Sequence, residues 1–220
     1  MEHTVNSYAG QLSELSSTIK EMLRLVSGML EIVQRALIHP SAELANQASV
    51  TDRKINALDH IIKDLAVTIL ALRNPLAQDL RLVISCLRIA VIIERMGDLC
   101  KNISKRVTVI EDMNLSPDII NKVTEMSLNL GFMMSGIINA FEYNDVEITK
   151  QVFERDDIID KTYREIMIEL TSYISTHADQ TSSCLQYIFA IKNYERIGDY
   201  IVKISSMIHY MITGKKTFFT

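Results

Sequence analysis

Two acidic motifs, 101 residues apart, carry the residue types in this chain that are best suited to chemistry. They have the sequence ERMGD at 94–98 and ERIGD at 195–199. In a helix the two acids of each motif lie four residues apart, so their carboxylates project from one face. Such like charges repel by roughly 0.3 kcal/mol, and a glycine inside a helix costs about 1 kcal/mol relative to alanine. Because both costs are repeated, the acids are candidates for binding cations, and the glycines for close approach of another helix.

A second set of acids precedes each motif along the chain. Asp156 and Asp160 fall inside the apolar stripe of a predicted helix, and Asp52, Asn56 and Asp59 are their counterparts in the first half. Desolvated carboxylate pairs either share a proton or bind a cation. If neighbouring helices bring D-x-x-x-D and E-x-x-x-D segments together, each site gains four oxygen ligands. This ligand density suits magnesium, manganese or iron, and suits zinc less well without His or Cys.

Other interpretations of the acids stay open. Glu94 and Glu195 lie roughly opposite the apolar seams of their helices, so both motifs are expected near solvent, where a charged helix face is ordinary. Arg95 and Arg196 could pair with the acids and make the arrangement purely structural. A di-iron-type enzyme typically needs Glu-x-x-His on facing helices. Glycine stands three residues after each glutamate, so we expect no enzymatic activity.

Long helices must position these residues, since 220 residues with only seven Gly and three Pro contain few turn formers. Apolar residues at alternating spacings of three and four predict six helices. They run from Tyr8 to His39, from about Ser41 to Asn74, from Pro75 to about Val109, from Ile119 to Phe141, from after Asp145 to about Thr176, and from Asp179 or Thr181 to Gly214.

The two halves of the chain are copies of one another. A shift of 104 residues places the apolar positions of the first helix on those of the fourth, and a shift of 101 superimposes the ERxGD helices. The predicted fold is all-α, a tandem repeat of two antiparallel three-helix bundles spanning 1–112 and 113–220. The difference between the shifts indicates a three-residue deletion in the loop before the last helix.

Composition excludes several classes of protein. A net charge of −4 argues against nucleic-acid binding, and no apolar run approaches the roughly 20 residues of a membrane span. The N-terminal residues lack the pattern of a secretory signal, so a cytoplasmic location is expected. Cys86, Cys100 and Cys184 show no metal-ligand spacing and are predicted to be reduced.

The motifs together resemble the PhoU family of phosphate-specific transport accessory and regulatory proteins. The resemblance rests on the doubled ERxGD, the run NPLAQDLR at 74–81 and the run DDIID at 156–160, and it covers nearly the whole chain. It implies a negative regulator of the phosphate-starvation (Pho) response that modulates high-affinity phosphate uptake. The implied partners are a sensor histidine kinase and the ATPase of the phosphate ABC transporter. A homodimer is also expected, although core packing explains the seam of the first helix equally well.

The resemblance further implies metal clusters of iron, zinc or other divalent or trivalent ions on the bundle surface. The matching ligand positions are Asp52, Asn56, Glu94 and Asp98 in the first repeat, and Asp156, Asp160, Glu195 and Asp199 in the second. Neighbouring residues that could modify the sites are Asp59, Asp79, Arg81, Asn102 and Lys203. Lys203 replaces the counterpart of Asn102, and its ammonium could act as an internal cation beside Asp199. We therefore expect the two sites to differ in metal occupancy. Manganese and magnesium are further candidate ions. The alternative is a helical adaptor that binds no metal.

Overall fold

The fold is built from long helices, as the apolar periodicity predicts. The computed structural model describes residues 2–110 and 115–216, and these contain no strand. The helices are α1 (Glu2–Ile38), α2 (Ala42–Arg73), α3 (Ala77–Val107), α4 (Pro117–Tyr143), α5 (Val146–Glu154), α6 (Asp156–Thr176) and α7 (Thr181–Thr213). A single 3-10 turn, Ala178–Gln180, precedes α7.

Helix boundaries follow local backbone chemistry. The Ser41 hydroxyl accepts a hydrogen bond from the backbone N–H of Leu44 at 3.2 Å, which caps α2 as predicted. At its other end α2 stops at Asn74, which adopts the left-handed conformation with φ 46°. The third helix begins at Ala77 rather than at Pro75, because the chain between them is extended.

The predicted fifth helix is wrong in one respect, since it is divided at Arg155 into α5 and α6. The backbone N–H of Ile158 bonds to the carbonyl of Arg155 at 3.1 Å, a three-residue step that interrupts the regular helical ladder. The guanidinium of Arg155 donates to Asn129 Oδ1 at 2.8 Å and lies 3.9 Å from the centre of the Phe132 ring. These contacts hold Arg155 against α4, so that Asp156 begins a new helix.

The tandem arrangement of three-helix bundles is confirmed. Helices α1, α2 and α3 pack against one another, and α4 packs with α5, α6 and α7. The bundles meet along α3 and α7 and along α1 and α4, so a single core runs through both. The link between α2 and α3 spans 74–76, and the link between α6 and α7 spans 177–180, most of which is the 3-10 turn. The deletion inferred from the two shifts stays a prediction. The predicted boundary at 112/113 lies outside the described residues and stays a prediction.

The structure also describes the three cysteines and the apolar character of the helices. Cys86, Cys100 and Cys184 are buried free thiols. Among the residues that the structure describes, no helix has both the length and the apolar character needed to cross a membrane.

Candidate metal centres

The glycine of each ERxGD motif faces an aspartate of the preceding helix. A Cβ atom added to Gly97 would lie 3.5 Å from Asp52 Oδ1 and 3.3 Å from Ile55 Cδ1. A Cβ atom added to Gly198 would lie 3.4 Å from Asp156 Oδ1. The two repeats therefore bring matching residues together, and the missing side chain lets each ERxGD helix approach the aspartate closely. This geometry agrees with the role that the sequence indicates for the glycines.

The first cluster comprises Asp52, Asn56, Asp59, Glu94 and Asp98. Three of its members, Asp52, Asn56 and Asp59, lie on one face of α2, and Asp52 and Asp59 are each only 3% exposed. The Oδ1 atoms of all three are buried and have no hydrogen-bond partner among the residues that the structure describes. A buried acceptor without a donor costs about 1–3 kcal/mol. This face of α2 therefore presents oxygen ligands whose charge and lone pairs are not fully satisfied by the protein.

Two lysines partly neutralise the first cluster. Lys101 Nζ lies 2.7 Å from Asp52 Oδ2 and 2.5 Å from Asp98 Oδ1, so the ammonium bridges α2 and α3. Lys63 Nζ lies 2.5 Å from Asp59 Oδ2. Burial lowers the pKa of Lys101, but its hydrogen bonds to the two carboxylates outweigh burial and raise that pKa above the usual value. Lys101 is thus firmly protonated and lies among the proposed ligands.

The ERxGD acids differ in exposure. Glu195 is only 9% exposed, which corrects the expectation that it lies near solvent, whereas Glu94 is half-buried and the Asp98 side chain is 44% exposed. Glu195 is covered because α7 packs against α3, α4, α5 and α6. Burial, followed by repulsion from Asp98 and Asp59, raises the pKa of Glu94.

The second cluster comprises Asp156, Asp160, Glu195 and Asp199. Burial, followed by repulsion from Asp160 and Asp199, raises the pKa of Asp156 to about 6. Among the described residues one cation pairs with this cluster: Lys192 Nζ lies 2.9 Å from Glu195 Oε1. Four acids therefore face a single lysine, and the second cluster carries more uncompensated negative charge than the first.

The basic residues that the sequence suggests as partners of the acids differ from those that contact the acids in the structure. Arg95 and Arg196 are exposed and form no ion pair with any described residue. Lys203 is also without an ion pair in the described ranges, and its Nζ lies 5.0 Å from the centre of the Tyr200 ring. The expectation of an internal cation beside Asp199 is therefore wrong. Lys101 supplies that cation in the first repeat instead.

The sequence reasoning missed Lys63, Lys101 and Lys192. A signal for them exists, because each lies three or four residues from its acid on the same helix, the spacing at which side chains meet.

Three predicted modifier residues lie apart from the clusters. Asn102 is exposed, with no hydrogen bond to any described residue. Asp79 accepts a hydrogen bond from the Tyr8 hydroxyl at 2.8 Å, and burial together with this carboxylate raises the pKa of Tyr8 to about 12. Arg81 Nε donates to the carbonyl of Met211 at 3.5 Å. Asp79 and Arg81 thus join the first turns of α3 to α1 and to the end of α7.

The chemistry of the donor sets fits a hard cation. In the described part of the chain, no three His, Cys, Asp or Glu side chains converge closely enough to hold a metal ion as they stand. However, the unpartnered Oδ1 atoms of the first cluster and the raised pKa of Asp156 in the second both indicate negative charge that an added cation would stabilise.

Comparisons with known proteins agree with both the fold and the repeat. The family model for the PhoU domain matches two segments, 19–107 and 123–208. A phosphate-specific transport system accessory protein PhoU homolog from Zymomonas mobilis is 35% identical, with 97% of this chain and 90% of that protein covered. The homolog from Caulobacter vibrioides is 28% identical, with 98% and 94% covered.

Solved structures show the same architecture. The crystal structure of PhoU from Pseudomonas aeruginosa has a TM-score of 0.88 at 28% identity, over 94% of this chain and 100% of that chain. The phosphate transport system regulatory protein PhoU from Streptococcus pneumoniae has a TM-score of 0.85 at 25% identity, over 96% of this chain and 99% of that chain.

Proposed function

The chain belongs to the PhoU family, and we propose that it is an accessory protein that regulates phosphate-specific transport. The observation that carries this proposal is the match of both repeats to the PhoU domain, together with relatives of nearly equal length that bear this function in their names. In its finer form, the protein is a cytoplasmic homodimer that restrains the phosphate-starvation response. It does so by contacting a sensor histidine kinase and the ATPase of the phosphate transporter.

In this proposal each carboxylate cluster binds a divalent or trivalent ion. Asp52, Asn56, Glu94 and Asp98 hold it in the first repeat, with Asp59 beside them. Asp156, Asp160, Glu195 and Asp199 hold it in the second. The bound ion supplies positive charge at the junction of two helices, α2 with α3 or α6 with α7. The acids thereby become a cross-link rather than a source of repulsion, which would fix the shape of the surface that partners contact.

The two clusters differ in affinity. Lys101 already pairs with both Asp52 and Asp98, so an incoming ion must displace an ammonium in the first repeat. Lys192 pairs with Glu195 but with none of the other three acids of the second cluster, which leaves three carboxylates to an ion. The second cluster is therefore the tighter site. This order reverses the one that the placement of Lys203 in the sequence suggests.

A metal-free helical adaptor is the second candidate, because the lysine pairs favour it directly. Lys63, Lys101 and Lys192 each lie within 3 Å of a carboxylate oxygen. In that case the clusters are structural salt bridges, and the regulatory role depends on the helical surface alone. Catalysis is not part of either proposal: PhoU proteins are named as accessory or regulatory proteins, and the proposed ligand sets contain no histidine.

Deletion of the gene tests the regulatory proposal. In high phosphate, a reporter under the promoter of the high-affinity phosphate transporter should rise in the deletion strain and return to the basal level when the wild-type chain is restored. An unchanged reporter level in the deletion strain would overturn the proposal. Restoration by a variant with both Asp156 and Asp160 changed to Asn separates the candidates, because only the metal-free adaptor predicts full repression by that variant.

A further inference from the structure

A groove of about 610 Å³ lies between α3 and α7, the central helices of the two repeats. We call it the α3–α7 groove. It is lined by Ile84, Ser85, Arg88, Val202, Lys203, Ser206, Met207, Tyr210 and Lys216. Neither carboxylate cluster contributes a residue to it, so its chemistry is separate from that of the proposed metal centres.

The charge of the α3–α7 groove is positive, in a chain whose net charge is −4. Arg88, Lys203 and Lys216 are exposed, and none of the described residues that line the groove is acidic. Within the described ranges none of the three forms an ion pair with a carboxylate. Three cations of one sign along a cleft concentrate anions from solution. A ligand of the α3–α7 groove is therefore expected to be negatively charged.

Hydroxyl groups and apolar side chains give a ligand its other properties. Ser85, which lines the groove, is only 2% exposed. Ser206 and Tyr210 add two more hydroxyl groups, while Val202 and Met207 contribute apolar surface. The volume is typical of small-molecule sites, which are about 300–1,000 Å³, and is far larger than an inorganic anion needs. The lining thus suits a molecule with both anionic and apolar parts.

The repeat supplies an internal comparison. By the 101-residue shift, Phe189 is the counterpart of Arg88, and Arg106 is the counterpart of Met207. At that matching location the Arg106 Nη1 donates to Gln186 Oε1 at 2.5 Å, and its guanidinium lies 5.3 Å from the centre of the Phe189 ring. The cation there is already engaged by the protein. In the α3–α7 groove Lys203 also lies 5.0 Å from the centre of a ring, that of Tyr200, but neither Arg88 nor Lys216 has an ion pair or ring contact among the described residues. The basic lining of the groove is therefore not a simple consequence of the duplicated fold.

We propose that the α3–α7 groove binds a phosphorylated organic molecule of nucleotide size. Its phosphate groups contact Arg88, Lys203 and Lys216, and its organic part packs on the apolar side chains. Ser85 donates a hydrogen bond at the base of the groove. A ligand in this position contacts both repeats at once, so its binding would affect the surfaces of both bundles.

Isothermal titration with ATP in EDTA tests this proposal, because the chelator removes any contribution of metal ions. We expect saturable binding to the wild-type chain, and about tenfold weaker binding when Arg88 and Lys203 are both changed to Gln. The control variant changes Arg95 and Lys105 to Gln. It removes one arginine and one lysine from exposed positions of α3 outside the groove, and should retain wild-type affinity.

Four results would overturn the proposal. The first is an absence of saturable ATP binding to the wild-type chain, and the second is an equal loss of affinity in both double variants. The third is inorganic phosphate binding as tightly as ATP, which would mean that the apolar surface contributes nothing. The fourth is displacement of ATP by an acidic peptide at equal affinity, which would assign the groove to a protein partner. ATP binding by the metal-free protein would support the proposed ligand site in the groove even if the proposed metal centres bind no ion.

Discussion

Replacing Asp156 by Asn should stabilise the metal-free protein at neutral pH. The pKa of Asp156 is raised from 3.8 to about 6, so its ionised form is disfavoured in the folded state. Each pKa unit corresponds to about 1.4 kcal/mol, which gives an upper limit of about 3 kcal/mol. Asp156 is half-exposed, and solvent screening reduces this value to roughly 1.5 kcal/mol. Asparagine has the same shape and no charge, so the variant should recover that free energy.

The pH dependence of the effect has a definite sign. Between about pH 4 and pH 6 the folded wild-type protein binds more protons at Asp156 than the unfolded chain does. The free energy of unfolding contributed by this group therefore falls as the pH rises through that window. The advantage of the Asn variant should be absent near pH 4 and complete above about pH 6.

Urea unfolding followed by circular dichroism in EDTA provides the measurement, at pH 4 and at pH 7.5. The matched control is Asp157→Asn, which removes the same charge from the next residue, where the side chain is exposed. It should change the free energy of unfolding by less than about 0.5 kcal/mol. The reasoning is refuted if Asp156→Asn destabilises the metal-free protein at pH 7.5, or if the control stabilises it equally.

Two further substitutions test the packing and the charge balance. Gly136→Ala places a Cβ atom 2.7 Å from Val152 Cγ2 and should destabilise the protein by about 1–3 kcal/mol in urea unfolding, whereas Gly131→Ala on the same helix meets nothing within 4 Å and should stabilise it by about 0.5–1 kcal/mol. Equal effects of the two would contradict the packing. Lys101→Gln removes the ammonium from the first cluster and should tighten manganese binding there about tenfold, as measured by calorimetry. The control Lys105→Gln should leave manganese binding unchanged. Unchanged or weaker binding in Lys101→Gln would show that the lysine does not compete with metal.

The architecture could be predicted from the sequence because its signals are local and repeated. The apolar periodicity located the long helices, and the two shifts identified Asp156 and Gly198 as the repeat counterparts of Asp52 and Gly97. The contact between each glycine and its aspartate is visible only in the structure. The break at Arg155 could not be predicted, since neither Gly nor Pro marks it and its cause is a tertiary contact with α4.

The charge balance of the clusters and the presence of the α3–α7 groove could not be predicted from the sequence, for a different reason. Lysine side chains are long and flexible, so helical spacing allows several possible partners for each acid. The packing of the helices decides that Lys101 contacts its acidic cluster whereas Lys203 does not. The groove depends on how α3 of one repeat packs against α7 of the other, and no pattern within a single helix contains that information.

The metal content of the purified protein tests the central claim most directly. After chelation, the wild-type chain and the variants Asp156→Asn and Glu94→Gln would each be titrated with iron, zinc, manganese and magnesium, and the bound ions counted by elemental analysis. The account predicts ions at both repeats of the wild-type chain, with the tighter site lost in Asp156→Asn and the weaker site lost in Glu94→Gln. Full wild-type occupancy in both variants, or equal affinities at the two sites, would contradict it.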